Sequence, residues 1–212
     1  MKREKMKEII EWIVCIFIAV VLAICVRYFL GIPTKVQMTS MVPTLQENDR
    51  LLVVRTNRLF KQELQRGDII TFEAPSKLSY TKEEIDLTNP VAQYEEREQN
   101  IISSFCYNVL DIGKRSYIKR VIALPGEHVQ IKEGKVFVNN EVLQEGYLPQ
   151  GTITDIKNGF DDFVVPENCV FAMGDNRGGS MDCREFGCIP MEKIEGKVVF
   201  RFWPLTKFGK VE

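Results

Sequence analysis

Hydrophobic positions along this chain change their period twice. From Ile9 to Ile32 nearly every position is apolar, interrupted by Glu11, Arg27 and Tyr28. No polar stripe runs through the stretch, which argues against a helix packed on a soluble core. Crossing the hydrocarbon layer takes about 20 residues at 1.5 Å rise, and this stretch supplies them. Its strictly apolar part, Trp12 to Val26, is shorter. Trp12 and Tyr28 are therefore expected at the two interfaces, with Arg27 reaching outward to water. Gly31-Ile32-Pro33 ends the helix. Lys2, Arg3, Lys5 and Lys7 precede it against Glu4 alone. That excess predicts cytoplasmic residues 1–8, a transmembrane helix over 9–32 and a domain over 33–212 on the far side. A cleaved leader and a buried core helix are the rival readings. The apolar stretch is long for the first and lacks a polar face for the second.

Beyond the span the apolar pattern shortens to strand-like runs. Strands are predicted at Arg50–Arg55, Asp68–Phe72, Tyr117–Leu124, His128–Lys132, Lys135–Val138, Glu141–Leu143, Phe163–Val165, Val170–Met173 and Lys197–Trp203. Glu133-Gly134 and Asn139-Asn140 suit two-residue hairpin turns, because Gly and Asn accept positive φ. The fold class is mainly β: an antiparallel β-domain on an N-terminal membrane helix. Residues 76–115 depart from this. Thr81-x-x-Glu84 is a capping-box pattern, and Asn89-Pro90 reads as an N-cap followed by proline at the first helical position. Val91, Tyr94, Ile101 and Phe105 then fall near one helical face. These signals predict a helical insertion at the rim of the β-domain. It is either a solvated excursion, or a lid or contact for a substrate protein.

Charge narrows the partners. With 28 basic and 29 acidic residues among 212, no strongly basic surface is implied, and nucleic acid is not a favoured partner. One histidine, His128, excludes a multi-histidine metal site and disfavours a Ser-His-Asp triad. It opens a strand, where a half-exposed structural role is expected. The six cysteines include no C-x-x-C pair, so a zinc or redox site is not indicated. Cys183 and Cys188 are close enough in sequence to bridge a short loop in an oxidising compartment, though spacing does not establish it.

The chemistry starts at Thr39-Ser40-Met41-Val42-Pro43-Thr44-Leu45. Pro43 restricts itself and Val42, so a hydroxyl is held next to stiff chain. From Pro33 to Ser40 the chain reaches at most roughly 25 Å, which keeps that hydroxyl near the membrane surface. A serine nucleophile needs a base, and with one histidine the base is sought among Lys, Asp and Glu. Lys119 lies in Tyr117-Ile118-Lys119-Arg120-Val121-Ile122-Ala123. Strand alternation puts it with Tyr117, Val121 and Ala123, and Arg120 on the other face. Apolar company lowers a lysine pKa. A lysine that guards a strand edge is the plain alternative. The third stretch, Gly174-Asp175-Asn176-Arg177-Gly178-Gly179-Ser180-Met181-Asp182-Cys183-Arg184, otherwise reads as a polar turn.

These three stretches, in this order, resemble the type I signal peptidases, membrane-anchored serine proteases that use a Ser–Lys pair. The resemblance runs from the apolar span to Phe208-Gly209. It implies Ser40 as nucleophile, Lys119 as general base and Ser180 as the hydroxyl that orients the lysine. Asp182 and Arg184 would buttress the site, and the Ser40 backbone N–H would be one oxyanion donor. Some members place a second donor hydroxyl two residues before the nucleophile. That position here is Met38, and Thr39 is the nearest hydroxyl. Gly178-Gly179 and Cys183 also depart from the usual Asp-Asn and Ser. The implied mechanism needs no cofactor. The implied partners are secretory preproteins with small residues before the cut, the lipid bilayer and, as a candidate, the secretion translocon. The substrate would lie extended along strand edges, with pocket walls near Met38 and in the strand Arg50–Val54. Two other readings stand beside this one. One is a non-catalytic anchored relative acting as an assembly chaperone. The other is a processing peptidase dedicated to a few surface-fibre or sporulation precursors.

Overall fold

A computed structural model describes residues 2–29, 31–55, 63–81, 83–96, 100–108 and 111–211. Helix α1 (Lys2–Phe29) carries Glu4 in its first turn and Arg27 in its last, each favourable at that end of the helix dipole. Its 28 residues extend roughly 42 Å, longer than the hydrocarbon layer. None of its described side chains is buried, so it is not a core helix. The side chain of Tyr28, expected at an interface, is outside the described ones. The helix stops at Phe29 rather than at 32, because the chain turns into a strand at Gly31.

That strand, β1 (Gly31–Lys35), was not legible in the sequence, where Pro33 read only as a helix stop. It pairs with β2 (Arg50–Val54) along its whole length. The other strands are β3 (Ile69–Glu73), β4 (Ser116–Ala123), β5 (His128–Lys132), β6 (Lys135–Val138), β7 (Glu141–Val142), β8 (Asp162–Val164), β9 (Cys169–Met173), β10 (Ile189–Pro190), β11 (Ile194–Trp203) and β12 (Gly209–Lys210). One sheet runs β1-β2-β11-β3-β4-β9-β10, with β12 on β11, and a smaller one runs β7-β6-β5-β8. Every strand pair is antiparallel. Glu133-Gly134 and Asn139-Asn140 have positive φ and close the hairpins β5-β6 and β6-β7, as predicted. His128 Nε2 lies 2.6 Å from Asp162 Oδ1 across β5 and β8, a structural contact.

Two cores result. The larger one, between the sheets, holds Phe72, Val121, Ile122, Phe163, Phe171, Met173 and Phe186. The smaller one gathers Val36, Met41, Leu45, Leu51, Val53, Ile69 and Val198. This second core lies under the serine loop and anchors it on both sides of Ser40.

The stretch 76–115 contains helix α2 (Ile101–Asn108), but its other described residues are turns and extended chain. Only half of the capping box forms, around a turn: Glu84 Oε2 accepts from Thr81 N–H at 3.0 Å, but Glu84 N–H donates to the Thr81 carbonyl and the Thr81 hydroxyl donates to Glu84. Pro90–Ala92 is drawn into strand-like pairing instead. Cys188 N–H donates to Pro90 O at 2.6 Å and Ala92 N–H to Cys188 O at 2.8 Å. That tertiary pairing overrides the local helix signal at Asn89-Pro90. Tyr80 and Ala92 enter the larger core, with Val91 and Tyr94 packed against it. The side chain of Ile101 is outside the described ones. These residues tie the stretch to the domain core, while most of its other described residues are exposed or half-buried.

Candidate active site

The serine loop is built as a series of tight turns over the smaller core. Val42 N–H donates to Thr39 O at 3.1 Å and Leu45 N–H to Met41 O at 2.8 Å. Met41 and Leu45 are fully buried below, and the Val42–Pro43 bond is cis. Three tethers fix the loop from outside. Asn176 N–H donates to Ser40 O at 3.0 Å. Thr44 Oγ1 donates to Asp175 Oδ2 at 2.6 Å. Arg201, on β11, donates to Thr44 O and to Asp49 Oδ2, each at 3.0 Å. Ser40 is thereby held 8% exposed, with little freedom left to its hydroxyl's position.

Lys119 comes from β4, opposite Ile70 of β3. Its Nζ donates to Ser40 Oγ at 3.0 Å and to Ile118 O at 3.0 Å. The residue is 3% exposed, and the Tyr117 ring centroid lies 5.3 Å from Nζ. Burial lowers the Lys119 pKa to about 8, although Asp182 and Asp175 pull in the opposite direction. Arg120 meets a different partner. It forks onto Asp175 with contacts of 3.0 and 2.8 Å, donates to Gly67 O at 2.9 Å and stacks over Tyr147. Arg120 and Asp175 thus link the lysine strand, the serine loop and the third stretch. Sequence reasoning passed over this pair. The usable signal was an arginine inside an apolar strand, which needs a buried partner.

The third stretch turns around a second buried ion pair. Asp182 caps the short helix α3 (Cys183–Phe186), accepting from Arg184 N–H. Its carboxylate also takes Arg184 Nε and Nη2 at 2.8 Å each, and Gly174 N–H at 3.0 Å. Burial pushes the Asp182 carboxyl up, but Arg184 and the Gly174 N–H outweigh it and hold the pKa below the usual range. Arg184 also donates to Arg177 O at 2.7 Å and Asp155 O at 3.2 Å. Arg177, expected in a polar turn, is itself buried and bonded to Glu145 and Thr154. Lys157 spans Ser180 O and Glu185, a third cation the sequence did not single out. Cys183 and Cys188 are buried free thiols, and Cys183 Sγ accepts from Ala172 N–H at 3.2 Å.

Ser40 and Lys119 are therefore brought together, with Asp182 and Arg184 behind them. Ser180 is fully buried, and both bonds from Lys119 Nζ go to other atoms, Ser40 Oγ and Ile118 O. Thr39 is exposed, and its carbonyl accepts from Val42 N–H and from Asn176 Nδ2 at 3.3 Å. It is not among the residues that line the cleft.

That cleft, of about 210 Å³, is lined by Ser40, Lys119, residues 34–38 and residues 116–118. Met38 forms a wall as expected. From the strand side the wall is Arg55 rather than Arg50–Val54, since β2 is covered on both edges by β1 and β11. Gly174 is what lets the parts close up. A methyl group there would lie well inside van der Waals contact with Ser180 Oγ and Ser40 O. Gly174→Ala is expected to cost about 10²-fold or more in turnover by displacing Ser40. Retained turnover in a folded variant, checked by circular dichroism, would contradict that packing.

Residues 9–203 match the family model described as "Signal peptidase, peptidase S26". A probable signal peptidase I-1 from Synechocystis is 34% identical over 204 residues, covering 95% of this chain and 86% of the relative. Signal peptidase I from Bacillus licheniformis is 32% identical over 215 residues, covering 98% and 96%. Signal peptidase I from Enterococcus faecalis V583, a crystal structure, is 26% identical with a TM-score of 0.40, covering 64% of this chain and 97% of that one. The family match spans most of the N-terminal apolar helix, the serine loop, the lysine strand and the buried ion pairs together, and the chain belongs to the signal peptidase family, peptidase S26.

Proposed function

We propose that this chain removes signal peptides from exported preproteins through an acyl-enzyme, with Ser40 as nucleophile and Lys119 as general base. The observation that carries the roles is the 3.0 Å contact between Lys119 Nζ and Ser40 Oγ in a desolvated site. When the amine is neutral the hydroxyl donates to its lone pair. Ser40 Oγ attacks the scissile carbonyl and Lys119 takes the proton. The Ser40 N–H donates to the developing oxyanion. Collapse expels the new amine, which receives its proton from the Lys119 ammonium. Lys119 then deprotonates a water that attacks the ester, and the freed Ser40 recovers its proton. This route does not pass through Ser180 or Thr39.

The cleft supports an extended substrate. β1 pairs with β2 alone, and Ser116–Lys119 of β4 pair with β3 alone among the described strands. Two open edges thus face the cleft and offer backbone partners to a peptide. By resemblance the residues first and third before the cut are small. The short step from Phe29 to Gly31, with Arg27 of α1 lining the cleft, supports cleavage at the bilayer surface. With Lys2, Arg3, Lys5 and Lys7 at its N-terminal end, α1 is proposed to cross the plasma membrane once, leaving the β-domain outside. The secretion translocon is a proposed neighbour. Neither the assembly-chaperone reading nor the dedicated-precursor reading gains support from the relatives.

Full chain in detergent should cleave a preprotein after an A-x-A end, with the product's new N-terminus read by sequencing. Absence of cleavage would overturn the assignment. The pH dependence follows from Lys119. Its neutral fraction, and so the acylation rate, should rise about tenfold per pH unit below about 8 and level off above. A rate flat from mildly acidic to alkaline pH, with chemistry limiting, would count against a lysine base.

A further inference from the structure

The end of the cleft beyond Ser40 and Lys119 is polar, and nothing in the mechanism uses it. Arg55, at the end of β2, is 1% exposed and lines this end. Its Nη2 pairs with Asp111 Oδ2 at 2.8 Å, and Arg27 Nη2 reaches the same oxygen at 3.2 Å. Among the described residues, Arg55 Nε and Nη1 are buried without a partner, and so is Asp111 Oδ1. Glu195, on the same wall, is already met by Ser116 at 2.9 Å and Lys114 at 3.1 Å. Thr34 and Thr71 complete the lining there. Leaving buried donors and an acceptor unmade is costly. Such a set is the complement of a ligand that both accepts and donates.

We propose that Arg55 and Asp111 form a substrate subsite for a carboxamide side chain, Asn or Gln, in the segment before the cut. The carboxamide oxygen accepts from Arg55, and its NH₂ donates to Asp111 Oδ1. A carboxylate satisfies Arg55 but is repelled by Asp111 and leaves Oδ1 unmade. An apolar side chain leaves all three atoms unmade. The subsite rests on the peptidase reading above and adds a selectivity to it. It also gives the inserted stretch a task, because Asp111 lies at its end, between the anchor residue Arg27 and the cleft.

The test uses the full chain and a series of preprotein substrates. Each residue before the cut, apart from the first and third, is replaced in turn by Gln, Glu or Met and by Asn, Asp or Leu. At one position the carboxamide should exceed its apolar counterpart in kcat/KM by about tenfold, with the carboxylate between or below. Arg55→Lys keeps the cation beside Asp111 and removes Nε and Nη1, so the carboxamide preference should collapse. Asp111→Asn places a donor there, so the ratio of carboxylate to carboxamide should rise. Ratios within about twofold at every position in the wild type, or a preference that survives Arg55→Lys, would overturn the subsite while leaving the peptidase intact. A wild type that cleaves no member of the series would overturn both.

Discussion

Ser40→Ala and Lys119→Met are each expected to lower preprotein cleavage by about 10⁴-fold or more, and the double variant no further. Nucleophile and base act as one unit, so removing either removes the proton transfer that the other needs. Single-turnover cleavage of an A-x-A preprotein measures this. Losses that multiply in the double variant would mean that the two groups act independently. Lys119→Met also separates chemistry from folding. The folded lysine titrates near 8, below its ordinary 10.5. Between those values the unfolded chain holds a proton that the folded chain has released, so wild-type stability rises with pH there. Methionine has no such dependence. The wild type should gain roughly 3 kcal/mol on Lys119→Met between pH 7 and 11, read from denaturant unfolding. A constant difference across that range would contradict a desolvated amine.

Arg184→Met should be the most destabilising single change at the site. It strands the Asp182 carboxylate, fully buried, with only backbone N–H donors, Gly174 at 3.0 Å and residue 184 at 3.3 Å, and no opposite charge. Breaking a buried pair from one side costs about 3–5 kcal/mol, or roughly 10 °C in Tm for a domain of this size. Adding Asp182→Asn removes the stranded charge and keeps an oxygen for Gly174. The double variant should therefore melt higher than Arg184→Met alone. Thermal melts decide this, and equal losses would show that the cost lies in the carbonyls of Arg177 and Asp155 rather than in the charge.

Much of the scaffold was legible because alternation and turn chemistry agree with the packing. Asn139-Asn140 and Glu133-Gly134 sit at the turns they announce. β1 escaped because its pairing with β2 is non-local, and Pro33 carries a strong local signal for a stop. Asn89-Pro90 misled for the mirror reason, since Cys188 supplies a pairing partner from almost a hundred residues away. At the site, Ser40 and Lys119 were legible through the three motifs in order. The Arg120–Asp175, Arg177–Glu145 and Lys157–Glu185 pairs were not. A charge becomes conspicuous only when its burial is known, and single-sequence patterns assign charged residues to the surface.

The central claim is that a desolvated amine takes the proton of the serine. Its most direct test is the titration of the Lys119 side chain itself, followed by NMR of ¹³C-labelled lysine in the full chain and assigned by its loss in Lys119→Met. The midpoint is expected near 8. A midpoint at the ordinary lysine value, with the protein folded and active, would contradict it.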